Sequence, residues 1–441
     1  MTTKKPEISG LLVVDKPQGV TSHDVVAAIR GALHMKRVGH AGTLDPMATG
    51  VLVIGFGNAT RLLNYIVDHS KTYLATIRLG QRTTTDDADG ELLEPSAPIA
   101  EAFPSRETVE RAIAERFTGR IEQVPNSYSA IKINGQRAYD LAREGKQVEL
   151  KARPVTVEEF RVDAVRYGYA STRLADAPLT DAQDIGAGER WHPVSSAPDV
   201  RPVMELDVAV SCSAGTYIRA LGRDLGEALG LGGYLTMLRR IRIGDFTETM
   251  PNIVTAHTES KTFTNREGVE VTRNRAVIDD AEHLTDRALG MVDSAKASMP
   301  MLRISDQEAT DLRFGRRIAH DIRETTAAYV PETGDLVAII ERAKRGEAKI
   351  GESRWPYSYN NKKDNDEDNH ADARRKRHGR LAHLKQRQEV RTDHRLLRRH
   401  ASGPSGGDPP CGGTGPEGTF LLRGGVVRAA SRHGAWLCGQ A

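Results

Sequence analysis

Cysteine is scarce in this 441-residue sequence, and long apolar runs are absent from it. The three cysteines, Cys212, Cys411 and Cys438, are too few and too widely separated for a disulfide framework or a zinc site. No stretch approaches the roughly 18 apolar residues of a membrane span. The N-terminal segment MTTKKPEISG is not followed by the apolar stretch of a signal peptide. These absences predict a protein of the reducing cytoplasm that does not associate with a membrane.

Positive charge is also limited, except in one segment. The formal net charge of the whole chain is +3. Between His370 and His400, eleven Lys or Arg residues stand against three Asp or Glu residues, so this segment alone contributes +8 and leaves about −5 for the rest. A surface that binds nucleic acid on the remainder of the chain must then be a local patch, because the protein as a whole has no strong positive field.

Short segments of regular hydrophobic pattern predict strands. The apolar runs in GLLVVDKP (10–17) and VLVIGFG (51–57) are typical of buried strands. KTYLATIRLG (71–80) alternates, which places Tyr73, Ala75, Ile77 and Leu79 on one face of a strand. These three segments predict a sheet in the N-terminal part of the chain.

Helices and turns are predicted between these strands. Thr21 or Ser22 can cap a helix, QRTTTDDADG (81–90) is a polar turn region, and Asn134-Gly135 predicts a hairpin turn. The predicted helical stripes comprise Val25, Val26, Ile29 and Leu33 in one segment, and Ile218, Leu221, Leu225 and Leu229 in another.

Composition divides the chain into successive parts. Residues 9–250 form the predicted main domain, within which residues 170–200 lose periodicity and are predicted to be a surface insertion. Residues 251–297 are polar and predict a linker, and residues 298–350 have the strand and turn signals of a small second domain. Residues 352–441 are charged and then rich in Gly and Pro, which predicts disorder. This tail is a solvated extension, a basic arm that binds RNA, or an out-of-frame product.

The segment GHAGTLDPMATGVLVIGFGNATRL (39–62) contains the densest group of chemically useful residues. Its glycines bracket a polar loop with a single acid, Asp45, followed by Pro46. A residue before proline is confined to extended conformations, which fixes the direction of its side chain. The loop runs into a buried strand, which is a rigid support for a site. An Asp-Pro pair is often only a turn. The fixed direction of the Asp45 side chain and the rigid support of the loop nevertheless make this loop a candidate site.

This loop resembles the catalytic motif of the TruB family of bacterial tRNA pseudouridine synthases. Four further segments resemble the family in the same order, namely LLVVDKPQGVTSHDVV, KTYLATIRLGQRTTTDDADG, VPNSYSAIKINGQRAYDLAREG and CSAGTYIRALGRDLGEALGLGGYLTMLRR. The resemblance covers about residues 9–247 and is interrupted mainly by 170–200. It implies an α+β catalytic core around a mixed, largely antiparallel sheet, followed by a small PUA-like β-domain. The start of that domain is similar to residues 298–345, but its usual closing strand is not visible in the sequence.

The reaction that this resemblance implies sets chemical requirements. Conversion of uridine to pseudouridine breaks the N1–C1′ bond and forms a C5–C1′ bond, with no atom gained or lost and no net redox change. We therefore expect neither a cofactor nor a metal. The reaction needs a carboxylate at the sugar or the ring, a cation that pairs with it in a water-poor pocket, and a base flipped from its stack. Attack at C1′, attack at C6 and a path without a covalent adduct all remain open.

The resemblance assigns three catalytic residues. Asp45 is the carboxylate, and Arg219 is its ion-pair partner, which we expect to hold it bidentately. Tyr73 stacks on the target base and is a candidate for proton transfer. Without the resemblance, an arginine on an amphipathic helix and a tyrosine on a strand would be interpreted as ordinary surface and core residues.

Four further residues are candidates for substrate binding. By resemblance, His40 fills the gap that the flipped nucleotide leaves. Tyr217 is a wall of the pocket or a core residue, and Lys16 and Lys71 are candidate contacts of the RNA backbone.

The resemblance implies a single substrate position, the uridine at position 55 in the T loop of tRNA. A folded stem-loop fits the recognition of RNA by shape and splayed bases. We expect a monomer without an obligate protein partner. One alternative is an RNA-guided relative, which would need extra terminal segments that bind partner proteins. The other is a non-catalytic tRNA-folding chaperone, which should have lost Asp45 or Arg219.

Overall fold

The described residues are 8–94, 102–126, 150–186, 188–194, 197–265, 268–344 and 346–351, with the backbone of 132–133 and 136–137, in a computed structural model. The tail, residues 352–441, lies outside them. The strands are, in chain order, β1 (Gly10–Lys16), β2 (Val38–Ala41), β3 (Thr49–Phe56), β4 (Lys71–Leu79), β5 (Gly119–Gln123), β6 (Lys132–Ile133), β7 (Gln136–Arg137), β8 (Arg153–Ser171), β9 (Thr180–Gln183), β10 (Val200–Cys212), β11 (Gly233–Ile243), β12 (Phe246–Thr247), β13 (Val254–Thr264), β14 (Glu270–Ile278), β15 (Met301–Arg303), β16 (Thr326–Val330), β17 (Asp335–Arg342) and β18 (Ala348–Ile350). The helices are α1 (Ser22–Ala32), α2 (Leu63–Val67), α3 (Arg106–Arg116), α4 (Ile218–Ala228), α5 (Met291–Lys296) and α6 (Asp306–Arg313), with 3-10 turns at Gly57–Arg61 and Ala281–His283. None of these described helices has both the length and the apolar character that a membrane crossing requires.

A 12-stranded sheet forms the centre of the fold. Its main order is β14-β13-β1-β3-β11-β4-β10-β8-β5, and β2, β9 and β12 pair with β3, β8 and β11. Among the described pairs of this sheet, β1–β13 and β3–β11 are parallel and the others are antiparallel. The prediction of an α+β fold with a mixed, largely antiparallel sheet is therefore confirmed.

Local sequence accounts for the elements that carry the site. β4 lies between β10 and β11, and its predicted apolar face, which begins with Tyr73, is buried. The side chain of Thr21 accepts a hydrogen bond from the backbone N–H of Asp24 and so caps α1, as predicted. The pairing of β6 with β7 confirms the hairpin around Asn134-Gly135, although those two turn residues lie outside the described residues.

The predicted surface insertion at residues 170–200 contributes to the core. It joins β8 to β10, which pair directly, and it contains β9. Trp191 is 5% exposed, and its ring centroid lies 5.4 Å from that of Phe103 and 5.5 Å from that of Tyr169. Part of the insertion therefore packs into the main apolar core. The prediction missed this because a single buried aromatic residue produces no periodic pattern.

The predicted linker at residues 251–297 is wrong for most of its length. β13 and β14 form an antiparallel hairpin, and β13 pairs with β1 in the main sheet. The hairpin is largely exposed, so most of its side chains are polar and its sequence resembles a linker. α5 follows within the same segment, and its Ala295 is fully buried.

A small four-stranded sheet follows, with the order β15-β16-β17-β18. The last strand of this sheet, β18, pairs with β17, and its three residues are too few to show a pattern in the sequence. One side of the small sheet shares an apolar cluster with the main domain, in which Ala327 and Ile339 join Leu11, Val53 and Ala295. The small sheet therefore packs against the catalytic core as part of one structure.

Candidate active site

The loop that is predicted to be catalytic, residues 42–48 between β2 and β3 and called the catalytic loop below, presents Asp45. Three hydrogen bonds of its backbone atoms hold it to Gly19 and to the Ser22 side chain: the N–H of Gly19 donates to Pro46 O at 2.8 Å, the N–H of Leu44 donates to Ser22 Oγ at 2.8 Å, and Ser22 Oγ donates to Leu44 O at 3.2 Å. The side chain of Asp45 remains 36% exposed. A rigid loop thus supports one accessible carboxylate.

Arg219 forms an ion pair with this carboxylate. Its Nε lies 3.0 Å from Asp45 Oδ2, and its side chain is only 6% exposed. Tyr217 precedes α4 at its N-cap, where Gln123 accepts from its N–H at 2.9 Å and donates to its C=O at 3.0 Å. This contact between β5 and the start of α4 fixes Arg219 in the first turn of the helix. The predicted pairing of Asp45 with Arg219 is thus present in the structure.

A second carboxylate shares the guanidinium. Nη1 of Arg219 donates to Asp87 Oδ2 at 2.9 Å and to Thr85 O at 2.9 Å. Arg219 therefore places Nε against Asp45 and Nη1 against Asp87, so its guanidinium is shared between two carboxylates. Burial acts to lower the pKa of Arg219, but the Asp45 and Asp87 carboxylates outweigh it and the pKa is raised. Burial raises the pKa of Asp87, although Arg219 acts in the opposite direction.

Tyr73 and Arg240 lie opposite each other on β4 and β11. Both side chains are buried, and both residues line the same cleft. Nε of Arg240 donates to Val51 O at 2.8 Å, and Nη2 donates to Gly42 O at 3.0 Å. Burial raises the pKa of Tyr73, with Arg240 opposing this effect. Burial lowers the pKa of Arg240, with Tyr73 and Asp45 opposing that effect.

A cleft of about 460 Å³ lies over these groups. This volume is in the range of pockets that take small organic molecules, about 300–1,000 Å³. The predicted residues that line it are Asp45, Tyr73, Arg219, Tyr217 and Lys71. All three predicted catalytic side chains therefore meet at one cleft, which can admit a flipped base.

The two lysines differ in position. Lys16 is fully buried, and its Nζ donates to the carbonyl oxygens of Pro17 at 2.8 Å, Pro46 at 3.3 Å and Ala48 at 2.7 Å. An ammonium has three donors, so the prediction that Lys16 contacts RNA is wrong: it braces the catalytic loop from inside. Lys71 lines the cleft, although its Nζ already donates to Val67 O and His69 O at 2.7 Å. Burial lowers the pKa of each lysine to about 8.

His40 lies on β2 and is not among the residues that line the cleft. Its ring packs edge-on against that of His23, with the centroids 5.4 Å apart. Burial, followed by the influence of His23 and Arg240, lowers the pKa of His40 to about 4. Within the described part of the chain its buried Nδ1 has no hydrogen-bond partner. A role beside the flipped nucleotide stays a prediction for this neutral imidazole.

The sequence interpretation missed Asp87, Arg240 and Gln123. Asp87 lies in the segment TTTDDADG, which is predicted as a polar turn and belongs to a segment that resembles the family, but no role is predicted for Asp87 itself. Two adjacent acids in a turn after a buried strand were the available signal, but their partner Arg219 is distant in sequence. Arg240 and Gln123 gave no signal, because their roles depend on strand pairing. Among the described residues no group of three or more His, Cys, Asp or Glu side chains is placed to hold a metal ion.

Comparison with known proteins gives consistent matches along the chain. The family model "TruB family pseudouridylate synthase (N terminal domain)" matches residues 30–176, and "tRNA Pseudouridine synthase II, C terminal" matches 299–349. A third model, "tRNA pseudouridylate synthase B C-terminal domain", matches 219–285. These matches cover both the segment with Asp45 and the small C-terminal sheet.

Curated relatives extend over most of the chain. The tRNA pseudouridine synthase B of Bifidobacterium longum subsp. infantis is 54% identical over 77% of this chain and 96% of its own length. The protein of the same name from Arthrobacter sp. is 44% identical over 76% of this chain and 94% of its own length. Among solved structures, a Cbf5-Nop10-Gar1 complex matches with 21% identity and a TM-score of 0.47, over 78% of this chain and 84% of that one.

Proposed function

The chain belongs to the TruB family of pseudouridine synthases, and we propose that it isomerises the uridine at position 55 in the T loop of tRNA, with Asp45 as the essential carboxylate. As a member of this family it is an isomerase that forms pseudouridine in tRNA. The T loop is the proposed target because the segments around Asp45, Tyr73 and Arg219 resemble those of enzymes that act at this position.

The observation that carries the proposal is the Asp45–Arg219 pair at the cleft. One partner is about one-third exposed to the cleft, and the other is almost completely buried behind it. A buried cation holds the carboxylate in one direction through a charge-assisted contact. The reactive group is thus accessible to a substrate, while its counter-ion is shielded from water.

The cleft residues suit the steps of the isomerisation. The target nucleotide must leave its stack before Asp45 can reach it, as for other enzymes that act on a single base. The N1–C1′ bond then breaks, the base turns, and C5 bonds to C1′. The C5 proton leaves and N1 gains a proton, so that atoms balance. Tyr73 lines the cleft beside Asp45, where its ring can hold the loose base during the turn.

Mapping of the product on RNA tests the proposal. The purified protein is incubated with an unmodified tRNA transcript, and pseudouridine is located by carbodiimide treatment and primer extension. We expect one new stop, at position 55, and none in a transcript that has cytidine there. Pseudouridine at another position would show that the proposed target is wrong.

The same assay separates the alternatives. We propose that the chain acts as a monomer without a guide RNA or a protein partner, so product should form when neither is added. Activity that depended on added guide RNA would favour the RNA-guided alternative. Wild-type protein that binds and refolds tRNA but forms no pseudouridine would favour the chaperone.

A further inference from the structure

The hairpin of β13 and β14 extends beyond the main sheet. β13 pairs with β1 at Val254 and Thr255, whereas its pairing with β14 continues as far as Thr264. Residues 260–264 and 270–274, called the outer hairpin below, are exposed apart from the half-buried Val271. A two-stranded hairpin without further support is only marginally stable in water. The outer hairpin gains little from packing, which favours a role in contact with another molecule.

Two positive side chains lie directly opposite each other on the outer hairpin. Lys261 of β13 faces Arg273 of β14 in the strand register, and both are exposed. Like charges in this arrangement destabilise an antiparallel pair of strands. Glu259 and Arg275, which are also opposite each other on the same hairpin, form an ion pair. No ion pair of the described hairpin residues includes Lys261 or Arg273. These two cations are therefore free to bind an external anion together.

An aromatic ring lies beside the two cations. Phe263 is 39% exposed, and the guanidinium carbon of Arg273 lies 5.7 Å from the centroid of its ring. Cations next to an exposed aromatic ring are typical of surfaces that bind RNA, where the cations contact phosphates and the rings stack on bases. The outer hairpin therefore has the chemistry of a surface for the RNA backbone.

The base of the outer hairpin is joined to the catalytic loop. Thr258 Oγ1 donates to Gln18 O at 2.6 Å, and Asn274 Nδ2 donates to Gly19 O at 3.0 Å. The N–H of Gly19 in turn donates to Pro46 O in the catalytic loop. At about 3.3 Å per residue, β13 continues for roughly 20 Å beyond Thr258. RNA that lies outside the cleft can therefore contact the outer hairpin while its flipped base is in the cleft.

We propose that the outer hairpin is a tRNA-binding element, in which Lys261 and Arg273 contact the phosphate backbone outside the cleft. This role rests on the proposed function in one respect, that tRNA is the substrate, and it does not depend on which uridine is modified. A phosphate between the two cations removes their repulsion, which accounts for a like-charged pair where an ion pair would stabilise the hairpin. Neither residue lines the cleft. The outer hairpin therefore contributes affinity for tRNA and takes no part in the chemistry.

The salt dependence of tRNA binding tests this role. The double variant Lys261→Gln/Arg273→Gln is compared with the wild type by filter binding to an unmodified tRNA transcript. Between about 50 and 200 mM salt, the affinity of the wild type should fall about tenfold more than that of the variant, because two phosphate contacts are lost. The single-turnover rate at saturating tRNA should stay within about twofold of the wild type. An unchanged salt dependence would overturn the proposal, and is expected if the outer hairpin binds an acidic protein instead.

A charge reversal separates loss of binding from loss of fold. Lys261→Glu places a carboxylate opposite Arg273, and opposite charges stabilise an antiparallel pair of strands. The temperature of unfolding should therefore stay the same or rise, while the affinity for tRNA at low salt should fall by at least about fivefold. A variant that folds and binds tRNA as tightly as the wild type would contradict the proposal.

A matched control removes two exposed positive charges elsewhere. Arg111 and Arg116 lie on α3, where Arg106 donates to Val162 O of β8 near the opposite edge of the main sheet. Arg111→Gln/Arg116→Gln should keep the salt dependence of the wild type. Equal effects of the two double variants would show that binding follows net charge, and would overturn the proposal. Pseudouridine at a position other than 55 would contradict the proposed function but not this role, because binding is measured with the whole tRNA.

Discussion

Arg219 Nε lies 3.0 Å from Oδ2 of Asp45. Nη1 of the same guanidinium donates to Asp87 and to the carbonyl of Thr85. Arg219 therefore links Asp45, the predicted catalytic carboxylate, to Asp87, which is not among the residues that line the cleft. Substitutions of Asp45, Arg219 and Asp87 should therefore lower the reaction rate to different extents.

Asp45→Asn should abolish turnover while tRNA binding largely survives, because the amide keeps the size of the side chain but not its charge. Loss of an essential covalent or electrostatic group costs several kcal/mol of barrier, so the rate should fall by at least about a thousandfold. Single-turnover assays and filter binding measure the two effects separately. A variant that retains a larger fraction of the activity would refute the assignment of Asp45.

Arg219→Lys should lower the single-turnover rate by at least about tenfold, with a smaller change in tRNA affinity. A lysine keeps the charge, but its single nitrogen cannot hold the Asp45 and Asp87 carboxylates in the same geometry. If Arg219 contacted only phosphate, the variant would instead bind tRNA more weakly, and its rate at saturation would be unchanged. The loss of a phosphate contact would then appear as a shallower salt dependence of tRNA binding.

Asp87→Asn should reduce the rate by about tenfold or more, although Asp87 is not among the residues that line the cleft, because small displacements of catalytic groups are costly. Affinity for tRNA should stay within about twofold of the wild type, since binding contacts are unchanged. Asp89→Asn is the matched control, because Asp89 lies in the same turn and forms no ion pair with the described residues. Equal effects of the two substitutions would contradict a specific role for Asp87.

Lys16→Met should destabilise the protein without changing the salt dependence of tRNA binding. The substitution leaves the carbonyls of Pro17, Pro46 and Ala48 without their buried donor, at a cost of about 1–3 kcal/mol. Thermal unfolding measures the loss. A shallower salt dependence in the variant would instead support the original prediction that Lys16 contacts the RNA backbone.

The stability of Lys16→Met should also respond differently to pH. The pKa of Lys16 is about 8 in the folded protein against a usual value of 10.5, so between these values the unfolded chain binds more protons. The contribution of Lys16 to wild-type stability should therefore rise with pH over this window. Lys71 has a similar shift, so the variant should keep about half of the rise that the two lysines produce together. Denaturant unfolding at pH 7.5 and 10 would measure the change in the free energy of unfolding for both proteins. The same change in the wild type and in Lys16→Met would contradict the burial of Lys16.

Deletion of residues 352–441 should leave tRNA modification intact, because every motif lies upstream. If the eleven Lys and Arg residues between His370 and His400 contact RNA, the truncated protein should bind tRNA with a shallower salt dependence. An unchanged salt dependence would indicate a passive extension. Complete loss of activity would show that the predicted boundary of the small domain is wrong.

The sequence alone determined the features that arise within a short segment. The alternation of KTYLATIRLG defined β4 and its buried face, Thr21 marked the start of α1, and the Asp-Pro pair located the catalytic loop. These signals are local because side-chain periodicity and capping depend on near neighbours in the chain. The resemblance of ordered motifs added the pairing of Asp45 with Arg219, which periodicity could not supply.

Only the tertiary structure decided which partners the charged residues find far away in the sequence, and which of these residues are buried. Arg219 divides its donors between Asp45 and Asp87, Lys16 turns inward to the catalytic loop, and Arg240 meets Tyr73 across two strands. Each outcome depends on the register of strands that are far apart in sequence. The sequence shows the same lysine or arginine whether the side chain faces RNA or a backbone carbonyl. The fold decides between these two cases, because it determines which acceptors lie within hydrogen-bonding distance and which are removed from water.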